Sequence, residues 1–324
     1  MEQQETTVAM SYTRRCLLVI VLLLIACVVN ADELGASLQL EGRMACQRGV
    51  ARLITWQGAD GSWQQDPGLT AHAALALAQA AGNQPDADAA RSRARIFVQE
   101  MLARGTAAMS PAAKGSERLT AGAMAMALRL FLREGAVTPP ELVSRLQSLA
   151  AAGKVPAADA MVVSETLLLF QQQDMGRAPS SGGGAPAMPE AAGQVEQLLA
   201  NIIANGDDAV LVGARLAARM AMGDATAGAA ARRRLENLAA GTSDAQIAEL
   251  YWLARVLYAQ GASGNATAAW RTQLMTVLLE MQRGDGGWGR VGDSPAARIV
   301  DSAWALQALA VLLAAAPQGG EWHR

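Results

Sequence analysis

Three mid-chain side chains are of types that could hold a ligand or move a proton: His72, Glu165 and Asp301. His72 stands among alanines, and the other histidine, His323, lies in the last residues of the chain. An unperturbed imidazole titrates near neutral pH, so an anion held by His72 would loosen as pH rises. Glu165 and Asp301 would oppose an anion and favour a polar or cationic ligand. The plainer reading is architectural. Asp301, Ser164, Thr70 and Asp208 are all good helix N-cap types, and a lone histidine among alanines also suits a packed interior. No spacing of His, Cys, Asp and Glu completes a metal site, and no cofactor is expected.

Cysteine chemistry is limited to three residues. Cys46 lies four residues before Val50 on an apolar helical stripe and reads as core. Cys16 and Cys27 fall in the N-terminal segment, where Arg14 and Arg15 precede "CLLVIVLLLIACVV". That is the charged and apolar pattern of an export signal, short for a membrane span. "LIAC" at 24–27 resembles a bacterial lipobox, which makes Cys27 the candidate lipidation site. "VNA" at 29–31 resembles an ordinary cleavage site. An uncut anchor is the third reading. All three place the body outside the cytoplasm, in the periplasm or on the outer side of a membrane. With one thiol left in the body, no internal disulfide can form, so stability must come from a packed core.

The elements that position these residues are helices. The chain of 324 residues is 52% hydrophobic, much of it alanine, and only 4% aromatic. Alanine is the best helix former. The net charge of −2 shows no basic stripe, so nucleic acid is not an expected partner. Gly, Pro, Asn and Asp clusters cut the body into about twelve helical runs: 34–57, 69–82, 86–104, 117–134, 139–152, 157–173, 188–204, 207–222, 225–239, 243–260, 265–282 and 298–315. Thr138 is the expected cap of the fifth run, with Glu141 at capping-box spacing, and Ser243 or Asp244 that of the tenth. The Gly/Ser/Pro-rich stretch 174–188 reads as a flexible loop. The organisation expected is an export signal or anchor at 1–33, a helical domain at 34–318 and a polar tail at 319–324.

One signature occurs twice. "QGADGSW" at 57–63 and "QRGDGGW" at 282–288 both read Gln-x-x-Asp-Gly-x-Trp. Before Gln57 stand Val50, Leu53 and Ile54; before Gln282, at the same offsets, stand Met275, Leu278 and Leu279. Each Gln therefore extends the buried face of a helix. Asp-Gly then turns the chain, and the Trp can pack back on the helix end.

Gln57/Gly61/Trp63 and Gln282/Gly286/Trp288 resemble the QW repeats of terpenoid cyclases and protein prenyltransferases, the squalene-cyclase-like proteins. The resemblance implies an all-α fold, an α/α toroid of six inner and six outer helices. In it, Gln stacks on Trp as a structural clasp between an outer helix and the next inner one. Clasps near both chain ends would sit side by side where such a ring closes. The even-numbered runs would be inner, with His72, Glu165 and Asp301 at the rim of a central cavity.

The family's activities ask for residues this chain lacks. Squalene-type cyclases use an Asp-x-Asp-Asp acid, and none occurs. Their aromatic-lined cavities also contrast with three Phe, three Tyr and seven Trp here. Prenyltransferase zinc needs Asp, Cys and His together, and Cys46 lies on an outer stripe. The expectation is a membrane-tethered binding or scaffold module whose partner is a protein or a hydrophobic small molecule. The alternatives are an enzyme acting on an isoprenoid or other lipid in the cavity, and a carbohydrate-active toroid enzyme.

Overall fold

The glycine, proline and asparagine breaks do end helices. The computed structural model describes residues 35–108, 120–176, 189–204, 211–240, 246–261 and 268–314. Among them are twelve α-helices and no strand. In chain order these are α1 (Ala36–Trp56), α2 (Pro67–Ala80), α3 (Pro85–Ala108), α4 (Ala121–Arg133), α5 (Pro140–Ala151) and α6 (Ala157–Gly176). The second half holds α7 (Pro189–Ala204), α8 (Val212–Ala221), α9 (Ala227–Ala239), α10 (Ile247–Gly261), α11 (Ala268–Glu280) and α12 (Pro295–Leu313).

Local chemistry explains where several begin. Asp66 caps α2 by accepting from Leu69 N at 2.7 Å, with Pro67 in the first turn. Thr120 caps α4 through Ala123 N at 3.1 Å. Ser294 caps α12 through Ala297 N at 3.2 Å, so α12 starts at Pro295 rather than at 298. Thr138 is not a cap: Pro139 holds that position in α5 and makes no side-chain cap bond. Helix α6 runs through Gly176, into the stretch expected to be loop. The remainder of that loop, the 1–33 segment with Cys27, the 319–324 tail, Asp208, Ser243 and Asp244 lie outside the described residues.

The helices fall into two kinds. In α2, every residue from Gly68 to Ala78 is buried. A helix that is apolar and buried all round must be packed on every side. Helix α5 buries only Leu142, Leu146 and Ala150, one stripe at a spacing of four. Packing follows this division. The even-numbered helices pack in succession, α2 on α4, then α6, α8, α10 and α12, and α12 packs on α2. Each odd-numbered helix spans two consecutive even ones, as α1 does α12 and α2. Helix α12 is long and apolar enough to cross a membrane, but it packs on α1, α2, α10 and α11.

Candidate functional site

The two Trp turns repeat bond for bond. Gln57 Nε2 donates to Gly61 O at 2.9 Å and to Ala90 O at 2.8 Å; Gln282 Nε2 donates to Gly286 O at 2.9 Å and to Ala45 O at 2.8 Å. Their side-chain oxygens accept from Arg93 at 2.7 Å and from Arg48 at 2.6 Å. The indole of Trp63 donates to Leu53 O and that of Trp288 to Leu278 O, both at 2.9 Å. Their backbone N–H groups donate to Thr70 Oγ1 at 3.0 Å and to Ser302 Oγ at 2.9 Å. Both rings are wholly buried.

Gly61 and Gly286 have φ of +83° and +88°. A Cβ there would lie 2.7 Å from Arg93 O and 3.0 Å from Arg48 O, so both shape and space demand glycine. The expectation was a tie between two helices. These bonds reach three: α1, α2 and α3 at the first turn, and α11, α12 and α1 at the second.

A second constellation lies where even-numbered helices face one another. His72 of α2 meets Trp304 of α12 edge to face, ring centroids 4.4 Å apart. Trp304 lies 4.7 Å from Tyr251 and 5.8 Å from Trp252, both on α10. One turn on, the Arg255 guanidinium sits 5.8 Å from the Tyr251 ring centroid and 5.9 Å from that of Trp252. Arg255 pairs with Glu165 of α6 at 2.6 Å, and Glu165 also pairs with Arg129 of α4 at 3.2 Å. The positive charge of Arg129 is felt by His72 on α2. Burial alone would lower the Arg255 guanidinium, but the carboxylate of Glu165 and Tyr251 hold it above its ordinary value.

Of the three candidates, this belt contains two. His72 is not the titrating cation expected of it. Burial, with a smaller push from Arg129, takes its pKa from 6.5 to about 3, so at neutral pH it is uncharged. Its Nε2 is buried without a hydrogen-bond partner, as is Nε2 of Gln307, one turn beyond Trp304. Glu165 lies well inside α6 and is an ion-pair centre between two arginines rather than a rim acid.

Asp301 stands apart from the belt, one turn before Trp304. It is not an N-cap, since Ser294 has that role. Burial, then the charge of Asp293, raises it to about 6, with Arg290 partly offsetting them. Ser164 and Thr70 do not cap either: Ser164 donates to Ala160 O within its own helix, and Thr70 receives Trp63. Cys46 is buried, its thiol pushed up to about 11 by that burial.

Sequence reasoning missed Arg129 and Arg255. The signal was present in each, a lone arginine inside an otherwise apolar run, "MALRLFL" and "YWLARVLY". Such a charge needs a partner from another helix. Among the described residues, no group of three His, Cys, Asp or Glu is placed to hold a metal. No protein-family model matches the chain, and no curated protein or solved structure is significantly similar to it.

Proposed function

We propose that the chain is an exported α/α toroid, tethered to a membrane through its N-terminal segment, that works as a non-catalytic binding module. The even-numbered helices are the inner ring and the odd-numbered ones the outer. The succession of packing from α2 round to α12 and back supports this arrangement, as does the second Trp turn, which joins α11 and α12 to α1. On this reading the QW-like turns are clasps, as in the terpenoid cyclases and prenyltransferases that they resemble. The binding reading rests on the belt. Five of six inner helices send side chains into one connected group of rings and charges, with two buried polar nitrogens beside it left without partners. Buried polar groups are nearly always paired, so these two favour a partner from outside the chain, a ligand or a water.

Native mass spectrometry of the protein purified from its own cells tests this reading. A bound small molecule, lost in Arg255→Gln, is the expected result. Bare protein in both samples overturns it. The tether is tested apart. Cys27→Ser should release the protein from the membrane or block its maturation. An unchanged mature mass and membrane fraction would remove the lipidation reading.

A second reading, an enzyme acting on an isoprenoid or other lipid, is favoured by Asp301. A carboxyl raised to about 6, one turn from Trp304, keeps a protonated fraction near neutral pH that could deliver a proton to an apolar substrate. Conversion of a co-purified lipid by the parent and not by Asp301→Asn would establish it.

A further inference from the structure

The belt carries more charge of one sign than the other. Arg129 and Arg255 share Glu165, and neither guanidinium bonds any other acid among the described residues. His72 adds nothing at neutral pH. The excess is one positive charge, set between α4, α6 and α10. The Arg129 side chain is only 10% exposed, and a charge so far removed from water is costly unless it is well paired.

Spare donors are present as well. A guanidinium has five N–H donors, of which Arg129 gives one to Glu165 through Nη1. Arg255 uses Nη1 on Glu165 and on the Tyr251 hydroxyl. The Arg255 side chain remains 32% exposed and those of Arg129 and Glu165 10% and 14%, so Arg255 is the open end of the site. Hydrocarbon lies against that open end, because Tyr251 and Trp252 lie beneath the Arg255 guanidinium and Trp304 beside them.

We propose that the belt binds a singly charged oxyanion carried on an apolar body, held by the free donors of Arg129 and Arg255 on either side of Glu165. The charge sets the class. One negative charge, from a carboxylate or a phosphodiester, balances the arginine excess. A diphosphate or a free phosphate dianion would bring surplus negative charge beside Glu165. The exposed edges of the largely buried rings border the site, and they offer no partner for a second anionic group. This proposal rests on the binding-module reading above.

The test uses the full-length protein in uncharged phosphatidylcholine nanodiscs, read by tryptophan fluorescence, to which Trp252 and Trp304 at the site contribute. The probes are octanoate, dihexanoyl phosphatidylglycerol, octanol and inorganic phosphate. Saturable quenching by octanoate or by the phosphatidylglycerol is expected, and whichever binds more tightly identifies a free acid or a lipid headgroup as the source. Arg129→Gln and Arg255→Gln should each weaken that binding on the order of tenfold or more. Glu165→Gln should tighten it by about the same factor, because a competing carboxylate is gone.

That last result separates a ligand site from a purely structural network, in which Glu165→Gln would only lower the melting temperature. Quenching by octanol equal to that by octanoate would overturn the proposal, as would equal binding of inorganic phosphate, or no tightening in a folded Glu165→Gln protein. A neutral or cationic molecule in the native mass spectrum would overturn it too while leaving the binding-module reading intact. Bare protein there would remove both.

Discussion

The two Trp turns make the same bonds over very different distances along the chain. Gln57 reaches Ala90 across 33 residues, whereas Gln282 reaches Ala45 across 237. The first turn fastens neighbours in sequence; the second fastens α11 and α12 to α1. Their surroundings differ accordingly. In the first, Asp60 serves its own turn, accepting from Ser62 N at 3.0 Å and Ser62 Oγ at 2.8 Å. In the second, glycine replaces that serine; Asp285 still accepts from Gly287 N at 3.1 Å, and its other oxygen, in place of a hydroxyl bond, takes Arg52 of α1 at 2.9 Å. Arg52 and Arg298 both lie over the Trp56 ring, at 4.8 and 5.7 Å. The identical hydrogen bonds set the turn shape, and the variable residues decide whether the turn is self-contained or cross-linked to a distant helix.

The largest effect should come from the rings themselves. Trp63→Ala and Trp288→Ala each remove a wholly buried indole and should cost about 3–5 kcal/mol. The comparison lies in where the damage falls. Hydrogen exchange should loosen α1 to α3 in Trp63→Ala, and α1, α11 and α12 in Trp288→Ala. Trp322→Ala, in the polar tail, should melt like the parent. Three equal melting curves would mean that the turns hold nothing together.

The next test concerns what the Trp rings rest on. A Cβ on Gly49 of α1 would lie 2.5 Å from the Trp288 ring. The matching position for the first turn, counted from the paired Ala45 and Ala90, is Ala94, which is buried. Gly49→Ala should therefore cost about 1–3 kcal/mol by overpacking. Ala94→Gly should cost nearer 1 kcal/mol, from helix propensity. Thermal melts of both, side by side, check the difference.

Much of this architecture was legible beforehand because its signals are local. Breakers and apolar periods give the helices, and Gln-x-x-Asp-Gly-x-Trp gives both turns. What was not legible depends on contacts between distant helices. His72 reads as a titrating group until Trp304 covers it. Counting from Thr70 and Ser302, His72 and Trp304 hold the same place on α2 and α12, and no local pattern reveals that they meet. Glu165 reads as a rim acid until arginines from α4 and α10 arrive on either side. Asp301 reads as a cap until Ser294, just before Pro295, takes that place two turns earlier.

The same alignment sets Asp301 of α12 against Leu69 of α2, and this difference is pH-sensitive. The folded pKa of Asp301 is raised from 3.8 to about 6, so the folded state favours the protonated form. Its cost to stability therefore grows as pH rises through that window and is complete above it. Asp301→Asn should stabilise the protein at pH 8 by less than about 3 kcal/mol, because the half-buried carboxyl is partly screened by solvent, and the two proteins should converge below pH 4. His72 acts in the opposite sense. Its lowered pKa costs stability as pH falls below 6.5, equally in both proteins. The difference between their melting temperatures across pH thus isolates Asp301, and a constant difference would contradict the raised pKa.

The smallest effect should be the most specific to the second turn. Arg52 and Asp285 are each about 30% exposed, at 29% and 30%, so the pair is partly screened and worth under about 1 kcal/mol. Arg52→Ala also removes a cation from the Trp56 face. Phe97 stands at the corresponding place on α3, so the first turn has no such pair to lose. Phe97→Arg would bring a guanidinium to that face. There Asp60 is already held below the ordinary carboxylate range by its bonds to Ser62, so little added stability is expected. Melting at low and high salt distinguishes the two turns. The deficit of Arg52→Ala should shrink as salt screens the parent's ion pair. A deficit independent of salt would place the value of Arg52 in its stacking on Trp56 rather than in its bond to Asp285.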